Sequence, residues 1–269
     1  MRAAALHENR YAAYARYALG EILLVVVGIL IALQINNWNE ERIDRRQIRE
    51  YALNLTADIQ QDLQWITPVQ LQIERLIYQA NAFAEYARAR PFETVDNAEV
   101  YFLTRELDYR PYAWNRAAME QLKSSGALRQ ITNQELVDKI SAYDALTHHL
   151  DQDYINDLAL LSPIRQLTLR ICDANYPERI AIANWMDARE DQDSIAGYLP
   201  FRDSTLFQQI KASSLPLLST NPGDMRLLAN QMIDLADAID PRVSSELPRL
   251  RTLGSEVVAM IKAEYGLAN

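Results

Sequence analysis

The sequence predicts an all-α protein: one N-terminal transmembrane helix followed by an extramembrane bundle of four or more long helices. Three observations predict it. An apolar run lies near the front of the chain, apolar residues recur every three or four positions through most of the rest, and no alternating run is long enough for a strand. The 269 residues are 49% hydrophobic and 23% charged, an ordinary globular balance that excludes wholesale disorder and a multi-span transporter.

The first element is the anchor. From Ile22 to Leu33 every residue but Gly28 is apolar. A helix from Tyr17 to Trp38 rises about 32 Å, close to the ~30 Å hydrocarbon thickness of a bilayer. Tyr11, Tyr14 and Tyr17 precede the run and Trp38 follows it, the aromatic types that settle at both interfaces. The run ends in Gln34, Ile35, Asn36 and Asn37, not in the A-x-A spacing of a cleavage site, so it reads as an uncleaved signal anchor. The predicted division is a short segment at 1–16, the anchor at 17–38 and a helical body at 39–269. Arg2, Arg10 and Arg16 lie before the span and Arg42, Arg45, Arg46 and Arg49 after it, so the positive-inside count leaves orientation open.

The block GEILLVVVGILIALQINNWNEER with the following REYALNLTADIQQDL resembles the opening of an uncharacterised bacterial family of membrane-anchored proteins, a domain of unknown function. A second block, Ala113 to Asp144, is similar to that family's downstream part. The resemblance implies an N-terminal span, a mostly helical domain outside the cytoplasm and no established activity; the placement expected is the inner membrane, with a cytoplasmic N-terminus and a periplasmic body. It carries over no functional residue.

Along the span, Glu21, Val25, Gly28, Ala32 and Ile35 share one face. Gly28 and Ala32 are a small-x-x-x-small pair, the spacing that lets two backbones approach closely in lipid. Glu21 sits about one turn inside Tyr17, where its carboxylate reaches the headgroups or pairs with a polar group on another helix.

Before Glu40 the only charged residues are Arg2, Arg10, Arg16, Glu8 and Glu21. Of the chain's 27 Lys+Arg and 36 Asp+Glu, the part from Glu40 onward therefore keeps 24 and 34, a charge of −10. Such a surface is repelled by anionic lipid and by nucleic acid, so the body is expected to stand off the membrane and no nucleic-acid partner is expected. Charged, helix-favouring residues run on through Arg49, and the anchor helix is expected to continue as a stalk. A stripe of Ile48, Tyr51, Leu55, Ile59, Leu63 and Ile66 reaches Pro68, and a second from Leu76 to Ala87 reaches Pro91, which predicts two antiparallel helices. A short helix over 96–107 leads to an aromatic loop, Tyr109, Arg110, Pro111, Tyr112, and helix resumes near Trp114. Gly126 reads as a C-cap and Thr132 with Glu135 as a capping box. The stripe Leu136 to Leu161 runs to Pro163, with a further helix to about Asp173. The stretch 174–218 is irregular except for a helix over 204–212, and Asn221-Pro222-Gly223 reads as a turn. Two last stripes, Leu228 to Ile239 and Leu253 to Ile261, are interrupted near Pro241 and Pro248.

Chemistry is sparse. On a helix His148 shares a face with Asp151, and His149 with Asp153, two ligands each; zinc needs a third protein ligand, and no second H-x-x-x-H or E-x-x-H completes one. No metal site, cofactor or catalytic residue is therefore expected. Cys172 has no local base, and the glycine-rich phosphate loops and the hydrolase elbow are missing. Tyr109, Arg110, Tyr112 and Trp114 are of the types that anchor protein contacts or fill a core. The expectation is a non-enzymatic accessory, scaffolding or assembly component of a membrane complex, contacting the lipid bilayer and a membrane-protein partner or a second copy. An extracytoplasmic helical sensor is the alternative, and a metal-dependent enzyme built on His148 and His149 a third.

Overall fold

The computed structural model describes residues 4–89, 94–104, 112–175, 180 and 203–266, with α1 side chains described from Tyr14 onward apart from Ala15. The protein is all-α, and no strand occurs among the described residues. Seven α-helices follow one another in that set: α1 (Ala4–Ala89), α2 (Asn97–Thr104), α3 (Ala117–Ser124), α4 (Gln134–Ile171), α5 (Thr205–Ala212), α6 (Pro222–Pro241) and α7 (Leu247–Tyr265). A 3-10 turn, Ala127–Gln130, follows α3, and a π turn, Arg242–Glu246, links α6 to α7.

The body is a four-helix packing of the C-terminal half of α1 with α4, α6 and α7; α3 lies on α1, and α2 lies against α1, α4 and α5. Its core begins at Ile48 and runs along α1 through Ala52, Leu55, Ile59, Ile66, Ile73, Leu76, Ala80 and Phe83, all nearly inaccessible to solvent. At the crossing of three helices Gly254 of α7 faces Tyr143, Ile59 and Leu63. A Cβ there would lie 3.0 to 3.1 Å from their side-chain carbons. Only a residue without one lets α7 come this near.

Pro68 does not break the chain into two antiparallel helices: α1 passes through it to Ala89 as one helix of 86 residues. A helix-interior proline costs about 3 kcal/mol. On either side of it Ile66, Val69, Ile73 and Leu76 are buried on one stripe, each contributing roughly 1.5–3 kcal/mol. The stripe outweighs the missing hydrogen bond. Pro163 is absorbed by α4 in the same way, between buried Leu161, Ile164 and Leu167.

The caps also differ in part from the local expectation. α4 starts at Asn133, whose side chain accepts from the Leu136 N–H at 3.2 Å, not at Thr132; Asn is the stronger N-cap of the two. Asn221-Pro222-Gly223 opens α6, with Asn221 Oδ1 accepting from Gly223 N–H at 2.9 Å and Pro222 in the first turn, where it has no bond to lose. Gly126 adopts φ +77° just past α3, as expected of it, and the helix expected over 204–212 is α5, with Ser204 as its N-cap. The interruption near Pro241 and Pro248 is the π turn.

Asn97 fastens α2 to the end of α4. Its Nδ2 donates to Asp173 O at 2.9 Å, and its Oδ1 accepts from Asp173 N–H at 2.7 Å. Phe102 meets Phe207 of α5 with ring centroids 5.0 Å apart, and Lys211 reaches Glu99 at 3.1 Å.

Candidate functional site: the exposed anchor and its foot

From Arg16 to Gln47 every residue of α1 is exposed; the first buried one is Ile48. The candidate span therefore packs against nothing else among the described residues. Ile22, Leu23, Leu24 and Val25 are each more than half exposed, and a Cβ at Gly28 would meet nothing within 4 Å. A core helix of a water-soluble fold would be buried; this one has the length and composition to cross a membrane and no described residue packed around it. Glu21, Val25, Gly28, Ala32 and Ile35 all lie on this uncovered rod, as do Tyr14, Tyr17 and Trp38 at its ends. The Tyr11 side chain lies outside the described residues.

Between Trp38 and Ile48 the helix has no core to hold it, and side-chain pairs one turn apart replace that support. Asn36 Nδ2 donates to Glu40 at 2.8 Å, the Arg42 guanidinium lies 5.8 Å from the Trp38 ring centre, Arg45 meets Glu41 at 2.9 Å and Gln47 donates to Tyr51 Oη at 2.7 Å. Such pairs add about 0.2–0.5 kcal/mol each to an exposed helix. The stretch rises about 15 Å, beyond the roughly 5–8 Å headgroup layer of one leaflet.

At the foot of this stalk an open groove of about 710 Å³ runs between α1, the loop that precedes α4 and the end of α7, lined by Ile48, Ile131 and Tyr265 and by the exposed Arg45, Arg49 and Glu264 among others. Sequence periodicity gives no sign of it, because its walls come from three stretches far apart in the chain.

Tyr109 and Arg110 lie outside the described residues. Tyr112 and Trp114 are built into the body: Tyr112 stacks on Trp65 at 5.4 Å and meets Trp114 edge-on at 5.2 Å, and Trp114 is buried. Behind them Asp62, wholly buried, accepts at Oδ1 from the Asn115 N–H (3.0 Å) and its Nδ2 (2.9 Å), and at Oδ2 from Tyr143 Oη (2.8 Å). Burial holds the Asp62 carboxyl above its usual range, against the pull of these donors. Burial and the nearby Asp62 push the Tyr112 hydroxyl up to about 12. The network ties buried groups of three segments together, with both Asp62 oxygens already hydrogen-bonded.

Cys172 is buried, and burial followed by the neighbouring Asp173 pushes its thiol up to about 12, far from a nucleophile's range. His148 turns toward Asp144 (3.9 Å), while Asp151 takes an ion pair from Arg116 (2.7 Å), so the first expected pair does not meet. His149 and Asp153 do meet, at 3.2 Å, and with Glu246 they make a three-residue group able to hold a metal ion.

The fold and the exposed rod define a helical protein with one candidate membrane-spanning helix. A family model described as a family of unknown function, DUF6090, matches residues 21–98, which hold the apolar run, the stalk and the α1 share of the core. No curated protein and no solved structure matches the chain.

Proposed function

We propose that the chain is a single-pass, uncleaved membrane-anchored protein without enzymatic activity that works through protein contacts, as an accessory, scaffolding or assembly component of a membrane complex. One observation carries this: an apolar helix with no protein cover among the described residues continues without a break into the core of a folded body. Lipid covers most of the rod, and the Glu21, Gly28 and Ala32 face is left for a helix of a membrane-protein partner or a second copy. The span crosses the inner membrane with a cytoplasmic N-terminus and a periplasmic body. The groove at the stalk's foot favours a second reading, a helical sensor that takes a ligand where movement of the anchor would be felt.

The test is native purification of the full chain in mild detergent with mass analysis of the complex. A stable hetero-complex or homo-oligomer that dissociates in Gly28→Leu is expected. A chain that stays a lone monomer throughout overturns the accessory reading.

A further inference from the structure

We propose that His149, Asp153 and Glu246 form a binding site for one divalent transition-metal ion, with zinc the best fit. His149 and Asp153 stand one turn apart on α4, and the third donor comes from the last residue of the π turn between α6 and α7. A π turn carries an extra residue per turn and re-aims the side chains beyond it, a device frequent at functional sites. Here it sets Glu246 opposite α4.

The distances suit an ion. His149 Nε2 lies 3.2 Å from Asp153 Oδ2 and 3.6 Å from Glu246 Oε1, and all three donor atoms fall within 4.8 Å of one another. Zinc bound tetrahedrally at about 2.0–2.1 Å holds its ligand atoms roughly 3.3 Å apart. An imidazole nitrogen with two carboxylate oxygens is a donor set for zinc or manganese rather than for calcium or copper(I). Three protein ligands leave a position open, and the site faces solvent, His149 being 56% exposed.

A second observation points to a cation. Asp153 is buried, and its Oδ2, the oxygen turned to His149, takes no hydrogen bond of good geometry; the one group beside it is His149 Nε2, 3.2 Å away. A buried carboxylate oxygen whose hydrogen bonding is incomplete is costly, and a metal ion held between it and the imidazole nitrogen would satisfy both atoms. The opposite oxygen is provided for: Arg242, itself buried, places Nη2 3.5 Å from Asp153 Oδ1 and 3.2 Å from Asp157, and Nη1 3.2 and 3.3 Å from the two Glu246 oxygens. Arg242 thus orients both ligand carboxylates from behind, as outer-sphere donors do around bound metals. The ion would clamp α4 to the π turn. The site lies in the body and is independent of how the chain meets a bilayer.

The full chain in detergent, stripped with a chelator, is titrated with zinc chloride and then manganese chloride by calorimetry, and its thermal unfolding is followed with and without metal. One ion per chain is expected, with a higher Tm. His149→Ala, an exposed change that spares the core, is expected to weaken binding by more than the ~10–100-fold seen for outer-sphere changes and to remove the Tm rise. His148→Ala is expected to bind as the unaltered chain does. Failure to saturate at one ion per chain, equal binding by His149→Ala, or an equal loss in His148→Ala overturns the proposal.

Discussion

Tyr143 Oη donates to Asp62 Oδ2 at 2.8 Å, joining α4 to α1 in the buried middle of the body. The same carboxylate takes two further hydrogen bonds from Asn115, so one acidic group ties three segments together.

Asp62→Ala leaves a buried hydroxyl and a backbone N–H without an acceptor. A loss of about 3 kcal/mol in unfolding free energy is expected, read by urea denaturation. A change within experimental error would show the network to be dispensable.

The same residue sets a pH signature. Its folded carboxyl titrates above the ordinary 3.8, so the folded state holds the proton more tightly than the unfolded chain does. The stabilisation this gives is complete below about pH 3.8 and is lost as pH rises through the folded value. Measured against Asp62→Asn, which cannot titrate, the stability of the unaltered chain should fall over that window. A flat difference would mean that the donors cancel the effect of burial, and a rise that they outweigh it.

Gly254→Ala forces a methyl against Tyr143, Ile59 and Leu63 at 3.0 to 3.1 Å. Overpacking of this kind costs about 1–3 kcal/mol, and a drop in Tm of the full chain reads it. Gly28→Ala, on the uncovered rod, should leave Tm unmoved.

Thiol titration probes the interior directly. Cys172, buried and with its thiol pushed up to about 12, should react with an aromatic disulfide reagent only after denaturation. Prompt reaction in the native protein would contradict its burial.

Deleting residues 1–39 removes no core residue among those described, the first of which is Ile48. The shortened chain is expected in the supernatant with the unfolding free energy of the full body, while the full chain sediments with membranes. Sedimentation of both would place the membrane contact in the body.

Much of this was legible from local chemistry. The long apolar helix, the Gly126 cap, the Ser204 start of α5 and the stripes of α4, α6 and α7 are set by residues next to each other in sequence. Pro68 and Pro163 misled because a proline's cost is local, whereas the burial of Ile66, Ile73 and Ile164 that offsets it is supplied by other helices. Asn221-Pro222-Gly223 is ambiguous in the same way: a turn and an N-cap use the same residues, and only the helical stripe from Met225 and Leu228 onward decides between them. Glu246 was out of reach. It stands far along the chain from Asp153, and its place beside His149 depends on a π turn that the sequence signals only as an interruption near Pro241 and Pro248.

The unbroken course of α1 has a mechanical consequence for a chain anchored as proposed. With no hinge between bilayer and body, any lean of the rod is passed on undiminished. From the middle of the apolar run to Ile48 the rod is about 30 Å long, so a lean of about 20°, ordinary for a single spanning helix, sweeps the body sideways by roughly 10 Å. A neighbour that grips the rod inside the lipid thereby dictates the bearing of everything the protein displays above it.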